Sequence, residues 1–244
     1  MIIAVSNQKG GQGKTTTAQA LATGATMKGR KVLAVDLDPQ SNLTFSMDGA
    51  ADQGVCEILT GKATAEQVIQ TTPQGDLLAA NKDLATADFD IIGNRETRLF
   101  ALARALNPIK DRYDHIIIDC PPALNILLIN ALMAADKVII PLTADMYSLQ
   151  GLYQLVQTIR DVQQDNKIGG VLFVKHNRRT ILSRDLTDVI EDKCAELKIP
   201  VYKTTIREGI AVREAQTCRQ SLFEYAPRSN PTKDYTQLLE EIGL

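Results

Sequence analysis

The chain has no tryptophan, only 5% aromatic residues, two histidines and four cysteines among its 244 residues. Each scarcity excludes something. Few rings weigh against a groove that binds single strands by stacking bases on aromatic faces. The cysteines, Cys56, Cys120, Cys194 and Cys218, form no C-x-x-C. His115 and His176 give no metal-ligand spacing with them, so they read as the scattered reduced thiols of a cytosolic protein. No run of about 18 apolar residues could span a bilayer. The opening "MIIAVSNQKGG" lacks the basic start and long apolar run of a signal peptide. Large net charge is missing too: −2 names no partner.

The distribution of charge says more. Residues 1–166 carry 14 Lys/Arg against 18 Asp/Glu, residues 167–233 carry 13 against 8, and residues 234–244 carry three acids and no base. A basic stretch between acidic ones suits a polyanion, and a solvated mixed surface gives a modest imbalance too.

What is present is alternation. Short apolar, β-branched runs at 2–6, 31–38, 75–81, 113–122, 137–142, 168–177 and 199–206 read as strands. Helical patterns lie between and after them, at 15–29, 54–61, 64–70, 94–109, 123–135, 147–164, 181–197, 210–217 and 232–242. This predicts an α/β fold: a doubly wound, mostly parallel sheet with helices on both faces. No linker, repeat or low-complexity segment interrupts it, so residues 1–244 are expected to form a single domain.

In such sheets ligands sit beyond the carboxyl ends of the strands. Polar residues gather there: Lys14 and Thr15 after the first strand, Asp36 and Asp38 at the end of the second, Asp119 after "HIII", and Asn177 after "VLFVKH". The stretch "NQKGGQGKTTT" (7–17) contains a phosphate-binding loop. Gly10, Gly11 and Gly13 let the backbone approach a ligand closely. The N–H groups of the loop, including Gln12, and of the helix starting near Thr15 and Thr16 point at phosphate oxygens. Lys14 stands where the loop lysine reaches the terminal phosphates, and the Thr15 hydroxyl where it ligates Mg²⁺. Asp119 is the matching metal-holding acid. Asp36 and Asp38 start from one face of a strand and repel unless a cation lies near; one is suited to the metal and one to an attacking water. The loop departs from the generic pattern in two ways. Gln8 replaces its first glycine, and a second lysine, Lys9, stands five residues before Lys14.

"KGGQGKTT", "VDLDPQSN" and "IIIDCPP", in that order, resemble the ParA family of deviant Walker ATPases, the DNA-partition relatives of MinD. The likeness continues through "PLTADMYSLQGL" (141–152) and "EAQTCRQSLFEYAPRSNPTKDYTQLLEEI" (214–242). It implies a P-loop NTPase fold, ATP and Mg²⁺ as cofactors, and hydrolysis of ATP. It implies that Lys9 reaches across an ATP-dependent homodimer to the partner's phosphates. Without the resemblance, Lys9 reads as a solvated loop lysine. The resemblance further assigns Asp38 to the attacking water, Asp36 to the vicinity of the metal, and Asn177 to the adenine, a task its amide suits.

Where many relatives read "IPRN" this chain reads "IREG" (206–209). No helix-turn-helix segment precedes the first strand, which places the resemblance with the short ParA type. That type implies non-specific binding to double-stranded DNA, a ParB-type centromere-binding partner, and a cytoplasmic, nucleoid-associated protein with no membrane role. The basic candidates for DNA contact are Arg178, Arg184, Lys203, Arg207, Arg213, Arg219 and Arg228. Two other classes compete. A MinD-like membrane cycler needs a basic amphipathic tail, whereas "KDYTQLLEEIGL" is acidic. An iron–sulfur relative needs paired interface cysteines, and Cys120 has no partner at a supporting spacing.

Overall fold

The computed structural model describes residues 1–87, 90–94, 97–177 and 181–244. Among the described residues seven strands form one sheet: β1 (Ile2–Val5), β2 (Val32–Asp36), β3 (Gln70–Thr72), β4 (Gly75–Leu78), β5 (His115–Asp119), β6 (Lys137–Leu142) and β7 (Ile168–Phe173). Their order across the sheet is β3-β4-β2-β5-β1-β6-β7. Every pairing is parallel except the β3–β4 hairpin. The helices are α1 (Lys14–Met27), α2 (Asn42–Ser46), α3 (Val55–Leu59), α4 (Ala65–Val68), α5 (Ala101–Leu106), α6 (Ile126–Ala134), α7 (Met146–Asp161), α8 (Ile181–Leu197), α9 (Ile210–Thr217), α10 (Leu222–Tyr225) and α11 (Asn230–Ile242). The expected α/β architecture is therefore the one observed.

The central strands are buried on both faces, which is why they read as continuous apolar runs rather than alternating ones. Alternation along each strand still divides the core. Ile116 and Ile118 pack with α3, α5, α6, α7 and α8 on one face. Ile117 packs on the other with α1, α2, α9, α10 and α11. Asp36 and Asp119 end their strands on this second face, two residues beyond Ala34 and Ile117.

The sequence expectations depart from the structure at several places: β2 stops at Asp36 and β4 at Leu78, and the short helices α2 and α10 are additions. The segment 199–206 is not a strand. It meets β7 through an isolated bridge of Val171 with Val201 and through the Ile206 N–H, which donates to the Phe173 carbonyl at 2.8 Å, and a second bridge joins His176 to Arg207 just beyond both. Between them it bows away, and the Glu241 carboxylate accepts from the Lys203 and Thr204 N–H groups at 2.8 and 2.9 Å in place of a neighbouring strand. β7 ends at Phe173 rather than at 177, because Lys175 takes a left-handed turn (φ 51°) that no strand continues through. The hairpin strand β3 is an addition, a three-residue edge too short to show a period. The start of the helix expected over 94–109 falls partly on Arg95 and Glu96, outside the described residues; its ordered body is a 3₁₀ turn at Thr97–Phe100 followed by α5.

Candidate functional site

The C-terminal ends of β1, β2 and β5 converge at the head of α1. Asn7 opens the loop that follows β1. Its amide donates to the Pro141 carbonyl at 2.7 Å, and its Oδ1 accepts from the Lys9 N–H at 3.0 Å. Gly11 and Gly13 both lie at φ 74°, a left-handed conformation that costs a side-chain-bearing residue roughly 1–2 kcal/mol. Gly13 caps α1, so the unpaired N–H groups of the first turn and the positive end of the helix face the loop.

Lys14 is buried, and its Nζ lies 3.5 Å from the Lys9 carbonyl. Burial pulls its pKa down, and the charges of Asp119 and Asp38 oppose that pull. The Thr15 hydroxyl donates to Asp119 Oδ2 at 2.7 Å. Asp119 is fully buried, and its other oxygen, Oδ1, has no hydrogen-bond partner.

Asp36 and Asp119 are register partners on adjacent strands. Both carboxyls are pushed up: Asp36 to about 6, chiefly by burial, and Asp119 well above the usual range, by burial and then by Asp36. Asp36 spends both oxygens on the segment after β2. Oδ2 accepts from the Thr44 N–H and hydroxyl, each at 2.8 Å, and Oδ1 from the Asp38 N–H at 3.1 Å. It thus fixes the turn that presents Asp38. Asp38 is nearly buried, lines the same cleft as Lys14 and Thr15, and accepts from the Gln40 N–H at 3.0 Å.

This cleft has a volume of about 820 Å³. Its floor is the glycine loop with Lys14, Thr15 and Thr16. One wall is α2, and the far wall is Val174, Lys175 and the segment 206–213. The donor set fits a magnesium nucleotide. Backbone N–H groups and Lys14 suit phosphates, while Thr15 and the orphaned Asp119 oxygen suit a hard cation that takes oxygen ligands. Among the described residues no cluster of three or more His, Cys, Asp or Glu side chains forms a metal cage. A cation here is one that shares its coordination with phosphate and water, as Mg²⁺ does.

A family profile described as an AAA domain matches residues 1–169. The sporulation initiation inhibitor protein Soj of Bacillus subtilis is 39% identical, over 99% of this chain and 98% of its own. The chromosome-partitioning ATPase Soj of Treponema pallidum is 36% identical, over 97% and 94%. The chain belongs to the ParA/Soj family of ATPases. A solved structure of cobyrinic acid a,c-diamide synthase from Mycobacterium smegmatis, with bound ATP analogue and magnesium, superposes with a TM-score of 0.85 at 35% identity, covering 98% of this chain and 92% of that one. A plasmid partition protein from Borrelia burgdorferi bound to AMPPNP also gives 0.85, at 25% identity over 99% and 97%. As a ParA/Soj ATPase the protein uses ATP and Mg²⁺.

Lys9 does not turn into its own phosphate site. Its ammonium donates to both oxygens of Asp145, each at 2.7 Å, and lies 5.7 Å from the centroid of the Tyr147 ring. About a third of each ion-pair partner's side chain stays exposed. Burial works against ionisation of Asp145, but hydrogen bonds from Lys9, Thr143 and Ser148 outweigh it and hold its pKa at about 2. Asp145 also caps α7 through the Tyr147 and Ser148 N–H groups. Sequence reasoning missed Asp145; the only signal was its place as an acid before a helix, which reads as an ordinary N-cap.

Asn177, expected against adenine, is exposed and is not among the residues that line this cleft. The left-handed turn at Lys175 carries the chain away, and Lys175 itself lines the cleft, its Nζ donating to the Gly11 carbonyl at 2.7 Å. The divergent Arg207, Glu208 and Gly209 do line it.

The basic candidates also separate. Arg178 lies outside the described residues. Arg184 is on α8, across the sheet from α9, α10 and α11. Arg207 is committed to the buried Asp234 through Nε and Nη2. Arg219 pairs with Asp48 at 3.1 Å and stacks 4.4 Å over Phe45. Lys203 sits by Glu241 near one end of α11 and Arg228 just before the other, roughly 20 Å away for a helix of that length. These residues therefore form no single patch. Arg213, Arg219 and Arg228 remain exposed on the α9–α11 side.

Proposed function

We propose that this ParA/Soj ATPase is a DNA-partition switch. ATP draws two copies together face to face, the assembled pair binds double-stranded DNA without sequence preference, and a ParB-type partner stimulates hydrolysis and release. The observation that carries this reading is the position of Lys9. A cation at the rim of a phosphate loop, directed away from that loop's own phosphate site and with about a third of its side chain exposed, supports a role toward a second chain. ATP brings about four negative charges, and burying them between two subunits is costly unless each is paired. A lysine supplied in trans meets that need and can stabilise charge that develops during phosphoryl transfer.

In this reading Gly10, Gly11, Gln12, Gly13, Lys14, Thr15 and Thr16 hold the phosphates. Thr15 and Asp119 face the magnesium, and Asp36 acts through the Asp38 turn beside it. Asp38 orients the attacking water, and residues 1–244 work as one ATPase unit. DNA contact falls to Arg213, Arg219 and Arg228. The protein would reside on the nucleoid in the cytoplasm. The membrane alternative is disfavoured by the burial of the apolar side of α11: Tyr235, Leu238 and Leu239 are within the core. Among the described residues no helix is long and apolar enough to cross a membrane.

The test is binding to random-sequence duplex DNA with ATP, ADP or no nucleotide, across a salt series. Binding that requires ATP and weakens steeply with salt is expected. Binding indifferent to nucleotide, or none at all, would refute the DNA reading.

A further inference from the structure

The middle residue of the glycine loop, Gln12, has a side chain whose bonds belong to neither a phosphate nor the loop. It is 3% exposed, and its Oε1 faces three donors of the β6–α7 connection: the Thr143 N–H at 2.6 Å, the Thr143 hydroxyl at 2.9 Å and the Ser148 hydroxyl at 3.4 Å. The backbone N–H can only donate, which fixes the amide with its oxygen toward Thr143. The Thr143 hydroxyl has one proton and three acceptors in reach, Gln12 Oε1, Asp145 Oδ2 and the Ser148 hydroxyl oxygen. The charged acceptor wins that proton. Ser148, 3.3 Å from the Thr143 hydroxyl oxygen, supplies its own proton to Gln12 or to Thr143. The result is a continuous line: Gln12 fixes Thr143, Thr143 donates to Asp145, and Asp145 holds Lys9 by both oxygens.

We propose that Gln12 is a positioning residue for Lys9. Acting through Thr143 and Asp145, it sets how firmly the lysine is held within its own subunit and thereby how readily two ATP-bound copies assemble. The link to assembly rests on the dimer reading above; the link to Lys9 does not. A small apolar residue at position 12 would leave the Thr143 N–H without this acceptor, and Asp145 would lose the neighbour that fixes its donor. Lys9 would then leave Asp145 more easily.

The test separates the two links. Lys9 is labelled in the nucleotide-free protein with an amine-acylating reagent, and the modified peptide is quantified by mass spectrometry against time. The free amine is the reacting species, so the ion pair protects it. Gln12→Met should raise the Lys9 labelling rate about 3–10-fold, the scale of losing one buried hydrogen bond. Thr143→Val, which cuts the same line one step later, should do likewise, so the outcome does not depend on one variant folding well. In an Asp145→Asn background both effects should vanish. An unchanged Lys9 rate in folded Gln12→Met overturns the proposal, and so does an equal rise in the Asp145→Asn background. Assembly is read separately, as ATP turnover against protein concentration at saturating nucleotide. Gln12→Met should move the upward curvature to about 3–10-fold lower concentration. A wild-type dependence that is strictly linear defeats the dimer reading, while the labelling still decides the role of Gln12.

Discussion

Asp119→Asn should stabilise the nucleotide-free protein while removing its response to Mg–ATP. Asp36 and Asp119 face each other in register, on parallel strands that neighbour at about 4.8 Å. Two like charges at that separation repel by about 3 kcal/mol at an effective dielectric near 20. The Asp36 carboxyl rises from 3.8 to about 6 chiefly through burial, so its charge carries a desolvation cost besides the repulsion. Lys14 lies close enough to offset part of this, so the net gain from removing one charge is on the order of 1–2 kcal/mol. Asparagine is the appropriate replacement. It keeps an oxygen for the Thr15 hydroxyl and puts an N–H₂ where the orphaned Asp119 oxygen stands.

The pH dependence follows from the direction of the shifts. Both acids have folded pKa values above their unfolded ones, so the folded chain holds protons that the unfolded chain has released. Stability rooted in this pair is complete in acid and declines as pH rises from 3.8 through about 6 and beyond. Urea unfolding at pH 6 and pH 8, without nucleotide, is the assay. At pH 8 Asp119→Asn should exceed wild type by ~1–2 kcal/mol, or about 3–6 °C in melting temperature, with a smaller gap at pH 6. Adding Mg–ATP should raise the wild-type melting temperature and leave the variant nearly unmoved. A variant less stable than wild type at pH 8 without nucleotide would show that the carboxylate pair is not a source of strain.

Asp38→Ala should still bind ATP but turn it over about 10²–10⁴-fold more slowly, as for loss of a group that handles the attacking water; single-turnover kinetics beside an ATP-binding titration would check it, and normal turnover would remove Asp38 from the mechanism. Gly13→Ala forces a side chain to φ 74°; a loss of roughly 1–2 kcal/mol of stability, together with weakened ATP binding, is expected from melting curves and titration. Asp234→Ala leaves Arg207 and its N–H without their acceptors and should cost about 1–3 kcal/mol in urea unfolding, whereas a neutral result would mean that solvent satisfies both. Arg213→Ala should weaken DNA binding in ATP and reduce the slope of log affinity against log salt by about one unit; an unchanged slope would take Arg213 off the interface.

The parts of the fold that were legible in the sequence are those where local pattern and burial agree. β6 (Lys137–Leu142) and the helices α8 and α9 stand where the pattern puts them. Strand 199–206 was misread because "IPVYKTTI" carries β-branched residues for another reason: Ile206 packs into the core while Lys203 and Thr204 turn out to meet Glu241. That acid is 37 and 38 residues away, and no local pattern announces such a contact. The phosphate loop, Asp38 and the Thr15–Asp119 pair could be located because their chemistry demands a spacing. Asp145 and the side chain of Gln12 could not. Each satisfies an ordinary local role, N-cap or loop residue, and becomes informative only when 131–136 residues of chain bring Gln12 and Lys9 against Thr143 and Asp145.

The two features that stand out in the nucleotide-free chain have a common logic. A register-matched pair of buried carboxylates is a site short of positive charge, and Lys9 held at Asp145 is a positive charge kept from a site that would use it. Neither arrangement is what folding alone favours. Replacing one buried acid by its amide should raise stability, and a lysine at the rim needs no bidentate partner to remain soluble. In the proposed dimer both would be relieved by one event. Bound Mg²⁺ would supply the charge that Asp36 and Asp119 lack, and the phosphates would offer Lys9 of a second copy a better partner than its own Asp145. Because Gln12 belongs to the phosphate loop while its side chain reaches Thr143 beside Asp145, occupancy of the loop would, on the proposed reading, be joined to release of Lys9. An ATPase built this way would change its association state when nucleotide binds, and that property, more than rapid turnover, is what a partition switch requires.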